Sequence, residues 1–494
     1  MTTRLSFLKG GLHLSTGQVI SQASSFVKSL IVARLISPAN YGIAAIFVMT
    51  FSLLEMISNL SAQMLIVQAE DGDDPRFENT IHFIHAGRGL LNATLIFLLA
   101  GPVSRLFGAP QAKLAFECLA LVPLIRGFYH MDVNRFQRHM RFGPFVLVDS
   151  GSNLLVTLIA LPLAFWLRNY WAMLWLLVAQ SACNLIGMHW LAERPYGWAW
   201  DRFFTKRMFH FGWPLTINGL LMFGIFEGDR FVIGSAHRLF ARSNYTLTDL
   251  GMYSVAFALA QAPAMIIGNA TSSLFLPLLS RAQGLRTQFE RRYLACTHIV
   301  SLLAIAVATG FIVAGGGFVT LVYGQKYAGA GIFIGWLASM WAVRILRGAP
   351  TTAAMAFGDT RNAMFSNLAR SSALIGLLFV AATGRALVWI PICGFLGEFV
   401  ALVVCVWRLQ LRHRVPAVLC FKPFAAFFIG AGISALAVTG GIAKHGLAPT
   451  LVAASCLVAI QVLGMTYLFP GIREEVSALV LKWRSSLNGA KEAA

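Results

Sequence analysis

Apolar runs recur along the whole chain, broken by short basic and turn-forming stretches. Roughly 20 apolar residues cross a bilayer as a helix, so the pattern predicts an all-α polytopic membrane protein with about fourteen spans. In the first half, spans are expected at about Leu12–Leu35, Tyr41–Val67, Ile81–Leu106, Ala112–Met131, Phe145–Leu167, Trp171–Leu191 and Phe211–Ala236. They continue at about Leu250–Leu279, Leu294–Gly315, Ala328–Ile345, Ala363–Ala382, Val388–Val406, Phe424–Ala443 and Leu447–Phe469. The least marked break is "ATGRAL", between the eleventh and twelfth.

Polar positions inside these runs are patterned too. Ser15, Gln18, Gln22, Ser25 and Ser29 recur every three or four residues in the first span, with Lys28 beside them. Ser52, Glu55, Asn59 and Gln63 do the same in the second; His82, His85, Arg88 and Asn92 in the third. Such spacing puts each set on one helical face. Buried polar groups without partners are costly. The stripes are therefore either interhelical glue or the lining of a shared aqueous cavity, and three in succession favour the cavity. Gln261 in the eighth span is a further lining candidate.

Composition agrees with the pattern: 57% of residues are hydrophobic and 12% charged. The formal charge of +19 is distributed by topology. "NRFQRHMRF", "ERPYGWAWDRFFTKR", "SRAQGLRTQFERR", "WRLQLRHR" and both termini hold most of the Lys and Arg outside the spans. The alternate loops, "SRLFGAP", "LRNY", "AHRLFARSN", "YGQKYAG" and "AKHG", hold few. Cytoplasmic loops carry such an excess, so both termini are expected in the cytoplasm. The positive charge is accordingly matched to anionic membrane lipids and not to nucleic acid.

Several chemistries are unsupported. Seven scattered cysteines form no CxxC pattern, so neither metal site nor disulfide framework is expected. No P-loop sequence occurs, and no cofactor is expected. The N-terminus does not resemble a removable signal peptide. The loops are too short for the catalytic domain of a membrane glycan polymerase or ligase, and enzymatic activity is not expected.

Charges inside the spans are the candidate chemistry. Arg88, Arg126, Arg344, Arg347 and Arg370 fall in the cytoplasmic halves of their expected helices. Snorkelling to headgroups accounts for Arg347 and for some of the others. The rest are expected to line a cavity open to the cytoplasm, where a guanidinium suits phosphate. "GLLMFGIFEGDRFVIG" (219–234) places Glu227, Asp229 and Arg230 in an apolar run. Either they pair within the seventh helix, or that helix ends and they emerge into water.

The chain also repeats itself. "SPANYGIAAIF" (37–47) opens the second span and "TLTDLGMYSVAF" (246–257) the eighth, with Gly42 and Gly251 in matching places. "NRFQRHMRF" and "FGDTRNAMF" follow the fourth and tenth spans. Two lobes of six helices are expected, 1–207 and 208–415, followed by two helices and a cytoplasmic tail over 416–494.

"VARLISPANYG", "DRFVIG" followed by "LGMYSVAFAL", and "LFLPLLSRAQ" resemble the oligosaccharide flippase branch, Wzx-like polysaccharide biosynthesis and export proteins, of the MATE-like multidrug/oligosaccharidyl-lipid/polysaccharide exporter superfamily. The resemblance implies a two-lobed bundle related by pseudo-two-fold symmetry. It implies movement of an undecaprenyl-diphosphate-linked oligosaccharide across the bacterial inner membrane by alternating access. Lys28, Arg88, Arg126, Arg344 and Arg370 would then attract the diphosphate. Gln18, Gln22, Ser25, Asn59, His85, Asn92 and Gln261 would bond sugar hydroxyls. Glu55, Glu227, Asp229 and Glu398 are candidates for proton or sodium coupling. A polysaccharide polymerase and co-polymerase are candidate partners. Alternatives are a lipid II flippase and a multidrug exporter of the same fold; embedded charge that leans basic disfavours the latter.

Overall fold

The computed structural model describes residues 2–441 and 446–468, with side chains over 16–441 and 446–467. The tail expected over 469–494 lies outside the described residues. In chain order the helices are α1 (Thr2–Leu35), α2 (Pro38–Ser58), α3 (Ala62–Gln68), α4 (Pro75–Leu106), α5 (Lys113–Leu119), α6 (Leu121–Gly127), α7 (Asp132–Arg138), α8 (Gly143–Leu167) and α9 (Trp171–Leu191). They continue as α10 (Arg202–Leu239), α11 (Leu247–Ser280), α12 (Arg286–Tyr323), α13 (Gly331–Ala356), α14 (Thr360–Ser371), α15 (Ala373–Ala382), α16 (Trp389–His413), α17 (Val418–Thr439) and α18 (Leu447–Leu468). No strand occurs among the described residues.

Among those residues, twelve helices are long and apolar enough to cross a membrane, thirteen if the bent pair Pro110–Gly127 and Asp132–Arg138 is one span. The expected count of fourteen adds α1. Local chemistry fixes many starts. Ser37 caps α2 by accepting from Asn40 N–H, with Pro38 in the first turn. Asp74, Asp201 and Asp359 cap α4, α10 and α14 in the same way. Outward-facing Leu158, Trp166, Ile375 and Leu436 are exposed, the surface a bilayer covers.

One expectation is corrected. The second span is not continuous: α2 ends at Ser58, and Ser61 takes a left-handed backbone before α3 begins. The stripe Ser52, Glu55, Asn59, Gln63 is therefore split, with Asn59 Oδ1 accepting from Ser61 N–H at the break. The seventh span, expected over Phe211–Ala236, runs on through the charged triplet: α10 continues nine residues beyond Arg230.

The chain divides into two compact units: Met1–Val255 with Leu378–Leu387, and Ala256–Leu377 with Val388–Ala494. In the first, α1 packs along α8, α4 along α6, and α9 along both α6 and α8. Its core includes Phe77 stacked on Phe204 and Phe47 edge-on to Phe116. In the second, α12 packs along α13, and α16 along both α13 and α14. Trp341 and Phe257 meet edge-on in its core. Contacts group α10 with the first unit, whereas the sequence repeat groups it with the second lobe. A contact records what a helix touches, a repeat what it was copied from.

Candidate functional site

Each unit gathers cations inside its helices. In the first, Arg88 on α4 forms an ion pair with Glu55 on α2, 2.8 Å apart. Arg126 on α6 lies over the Phe51 ring, 4.4 Å from its centroid. Its Nε donates to Ser181 Oγ on α9 at 3.3 Å. Lys28 on α1 donates to Gln180 Oε1, also on α9, at 3.2 Å. Lys28 and Arg126 thus hold neutral acceptors, and neither makes an ion pair among the described residues. Gln180 is 8% exposed, and its Nε2 donor has no acceptor; Arg88 Nε is likewise buried without one. Amide and guanidinium donors left open beside two cations match the oxygens of an anion.

In the second unit, Glu398 on α16 is fully buried and meets three guanidiniums. Arg370 on α14 is 2.6 Å away, Arg347 3.4 Å and Arg344 3.6 Å, the last two from α13. Arg347 does not snorkel. It is buried and also donates to Ser366 Oγ and Asn367 Oδ1 at 2.8 and 2.9 Å. Its neighbours supply acceptors inside the protein, so its head need not reach water. The unit also holds a largely apolar cleft of about 530 Å³ with Trp336, Phe395, Phe427 and Phe428 in its wall.

The charged triplet is mid-helix and partnered. Glu227 and Arg230 are one turn apart and 2.9 Å from each other. Asp229 accepts from the Tyr253 hydroxyl at 2.6 Å. It makes no ion pair among the described residues, unlike Glu55, Glu227 and Glu398.

Part of the polar stripes serves as interhelical glue. Asn153 on α8 donates to Ser21 at 2.8 Å and accepts from Ser25 at 3.2 Å, so that part of the α1 stripe is glue. Gln18 and Gln22, one turn apart, are exposed. Asn92 is buried and donates to Ser58 at 2.8 Å; His85 is buried with Nδ1 unpartnered; Asn59 is exposed; Gln261 on α11 is half-buried.

Glu78, His82 and His130 come within 4.8 Å of one another, close enough to suggest a metal. Their hydrogen bonds argue otherwise. His82 Nε2 accepts from Met131 N–H while Nδ1 faces Gly197 O. His130 Nδ1 accepts from Asp132 N–H while Nε2 faces Arg194 O. Both imidazole lone pairs are taken by backbone amides, so the cluster knots the break between α6 and α7 to the chain beyond α9.

Gln180, Ser181, Tyr253 and the burial of Arg347 were not anticipated. For the first two the signal was present: adjacent polar residues in the middle of the largely apolar sixth span.

The chain is 23% identical over 319 residues to the succinoglycan biosynthesis transport protein ExoT of Rhizobium meliloti, covering 63% of this chain and 62% of that one. It is 18% identical over 345 residues to the lipopolysaccharide biosynthesis protein WzxC of Escherichia coli, covering 66% and 65%. The chain thus spans a little under two thirds of the length of these relatives. Its fold is similar to that of the lipid II flippase MurJ in an inward closed conformation, with a TM-score of 0.71 at 11% identity over 94% of this chain and 99% of that one. An inward-facing multidrug MATE transporter of the MOP superfamily gives 0.61 at 12%, over 81% and 98%. A family model described as "Polysaccharide biosynthesis protein" matches residues 31–331, well over half the chain. The chain is therefore a multi-pass membrane protein that belongs to the polysaccharide biosynthesis protein family, in a transporter fold.

Proposed function

We propose that this protein is a flippase. It carries undecaprenyl-diphosphate-linked oligosaccharide repeat units across the bacterial inner membrane by alternating access, for exopolysaccharide, O-antigen or capsule synthesis. Both termini lie in the cytoplasm, and two six-helix lobes precede two further helices. The observation that carries this reading is the set Lys28, Arg88 and Arg126, held between helices with open donors beside it. A diphosphate supplies the oxygens that such donors lack, and exposed Gln18, Gln22 and Asn59 suit sugar hydroxyls. Family membership and the transport and biosynthesis roles of the relatives support the same reading. Glu55 and Glu398 serve as counterions to the arginines, leaving Asp229 as the coupling candidate.

The test is translocation of a fluorescent lipid-linked oligosaccharide in vesicles containing purified protein. Lys28→Ala with Arg126→Ala is expected to slow it at least about tenfold, the loss of roughly 1.4 kcal/mol of binding. A multidrug exporter would instead move an organic cation such as ethidium, and removing two positive charges would not slow it.

A further inference from the structure

The repeat extends to the cationic clusters and differs there in one charge. Leu124-Ile125-Arg126-Gly127 on the fourth helix of the first half matches Ile345-Leu346-Arg347-Gly348 on that of the second. Phe136 and Phe357 follow at the same interval. The sixth helices also align. Both α9 and α16 begin at a tryptophan, Trp171 and Trp389, and with these paired Gln180 falls opposite Glu398 and Leu191 opposite Leu409. The contacts follow the alignment. Arg126 bonds Ser181 beside Gln180, and Arg347 lies 3.4 Å from Glu398.

From this, and resting on the proposed function, we infer that Gln180 is the specificity-determining residue of the anion site, a neutral position where the other half keeps a carboxylate. In the second half, Glu398 supplies the oxygens for all three guanidiniums. In the first half, the corresponding Gln180 offers one oxygen to Lys28 and leaves its Nε2 donor open. The remaining carboxylate, Glu55, is taken by Arg88. Asp149 acts on Lys28 only from beyond ion-pair distance. The first half therefore keeps two cations and an amide donor for an oxyanion brought from outside. The second half keeps its own counterion, Glu398, within ion-pair distance of Arg344, Arg347 and Arg370. The ligand is the diphosphate of a polyprenyl carrier.

Glutamate is nearly isosteric with glutamine, which makes the inference testable. The full chain in phosphatidylcholine nanodiscs would be titrated with farnesyl diphosphate. Gln180→Glu is expected to weaken binding at least about tenfold, since it adds charge and removes the open donor. Gln180→Met changes shape more but adds no charge, and is expected to cost about threefold, mostly the lost donor. A merely structural role predicts the reverse order, because methionine disturbs packing more than glutamate; that order overturns the inference. If Gln180→Glu does not fold, a loss above tenfold for Gln180→Met overturns it as well. Wild-type binding that vanishes in phosphatidylglycerol nanodiscs assigns the site to phospholipid headgroups and also overturns it. Wild-type protein that binds no farnesyl diphosphate in either lipid removes the proposed function along with it. Wild-type binding with an unaffected Gln180→Glu removes this inference alone.

Discussion

Glu398, itself fully buried, has one charge to share among Arg344, Arg347 and Arg370. Removing one partner from a buried ionic set strands the others, at about 3–5 kcal/mol. Glu398→Gln is therefore expected to lower the unfolding free energy by about that amount, read from thermal or denaturant melting in detergent. Lys113→Gln, which breaks an exposed pair with Glu117 one turn away, is expected to cost less than about 0.5 kcal/mol. Equal effects would mean that water reaches Glu398. Little of this arrangement was legible in the sequence. Glu227 and Arg230 are three apart on one helix, so their pairing follows from spacing alone. Glu398 meets arginines from α13 and α14, and only packing decides which of the embedded cations reaches it. Arg347 was expected at the headgroups for the same reason: a long side chain in a cytoplasmic half-helix says nothing of the Ser366 and Asn367 acceptors awaiting it.

Among elements, the two glycines that mark the internal repeat turn out to touch. A Cβ on Gly42 would meet the Leu247 carbonyl oxygen, and one on Gly251 the Pro38 carbonyl oxygen. The first turns of α2 and α11 thus cross backbone to backbone, which only small residues permit. Gly42→Ala is expected to destabilise by about 1–3 kcal/mol. Gly268→Ala, further along α11 where a Cβ meets nothing within 4 Å, is expected to stabilise by about 0.5–1 kcal/mol. Melting curves of the two variants should move in opposite directions. The acidic link between α3 and α4 makes a second case. Burial raises the Asp73 carboxyl, but His139, at 2.9 Å, and Arg138, at 3.1 Å, more than offset this and hold it below the ordinary range. A depressed carboxylate contributes stability that is complete above its unfolded value of about 4 and is lost as pH falls through the folded one. Asp73→Asn should therefore melt earlier than wild type at pH 6, with the gap closing as pH drops below about 4. Span positions were legible because apolar length is a local quantity. The breaks at Asn59–Ser61 and after Gly127 were not: the second is tied by His82 bonding Met131 N–H, a contact forty-nine residues apart in sequence.

For the whole molecule, the proposed flippase needs a source of direction. A ligand shifts a conformational equilibrium only by its differential affinity for the two states, so net movement needs either product removal or a coupled ion. The four candidate carboxylates are not equivalent. Glu55, Glu227 and Glu398 each face a guanidinium within ion-pair distance. Taking up a proton or sodium there means giving up an ion pair first. Asp229 instead accepts from the Tyr253 hydroxyl, which joins α10 to α11, and from the Arg230 N–H. A cation arriving at Asp229 would compete with hydrogen bonds alone, each worth about 1.5–3 kcal/mol to a charged acceptor. Asp229→Asn keeps the size and an oxygen acceptor for Tyr253 while removing the charge. In vesicles with an imposed proton or sodium gradient, wild-type translocation of lipid-linked oligosaccharide should run severalfold faster than with the gradient collapsed. Asp229→Asn should run at the collapsed rate in both conditions. Wild-type rates that ignore both gradients would leave Asp229 as a latch between two helices and assign direction to consumption of the product.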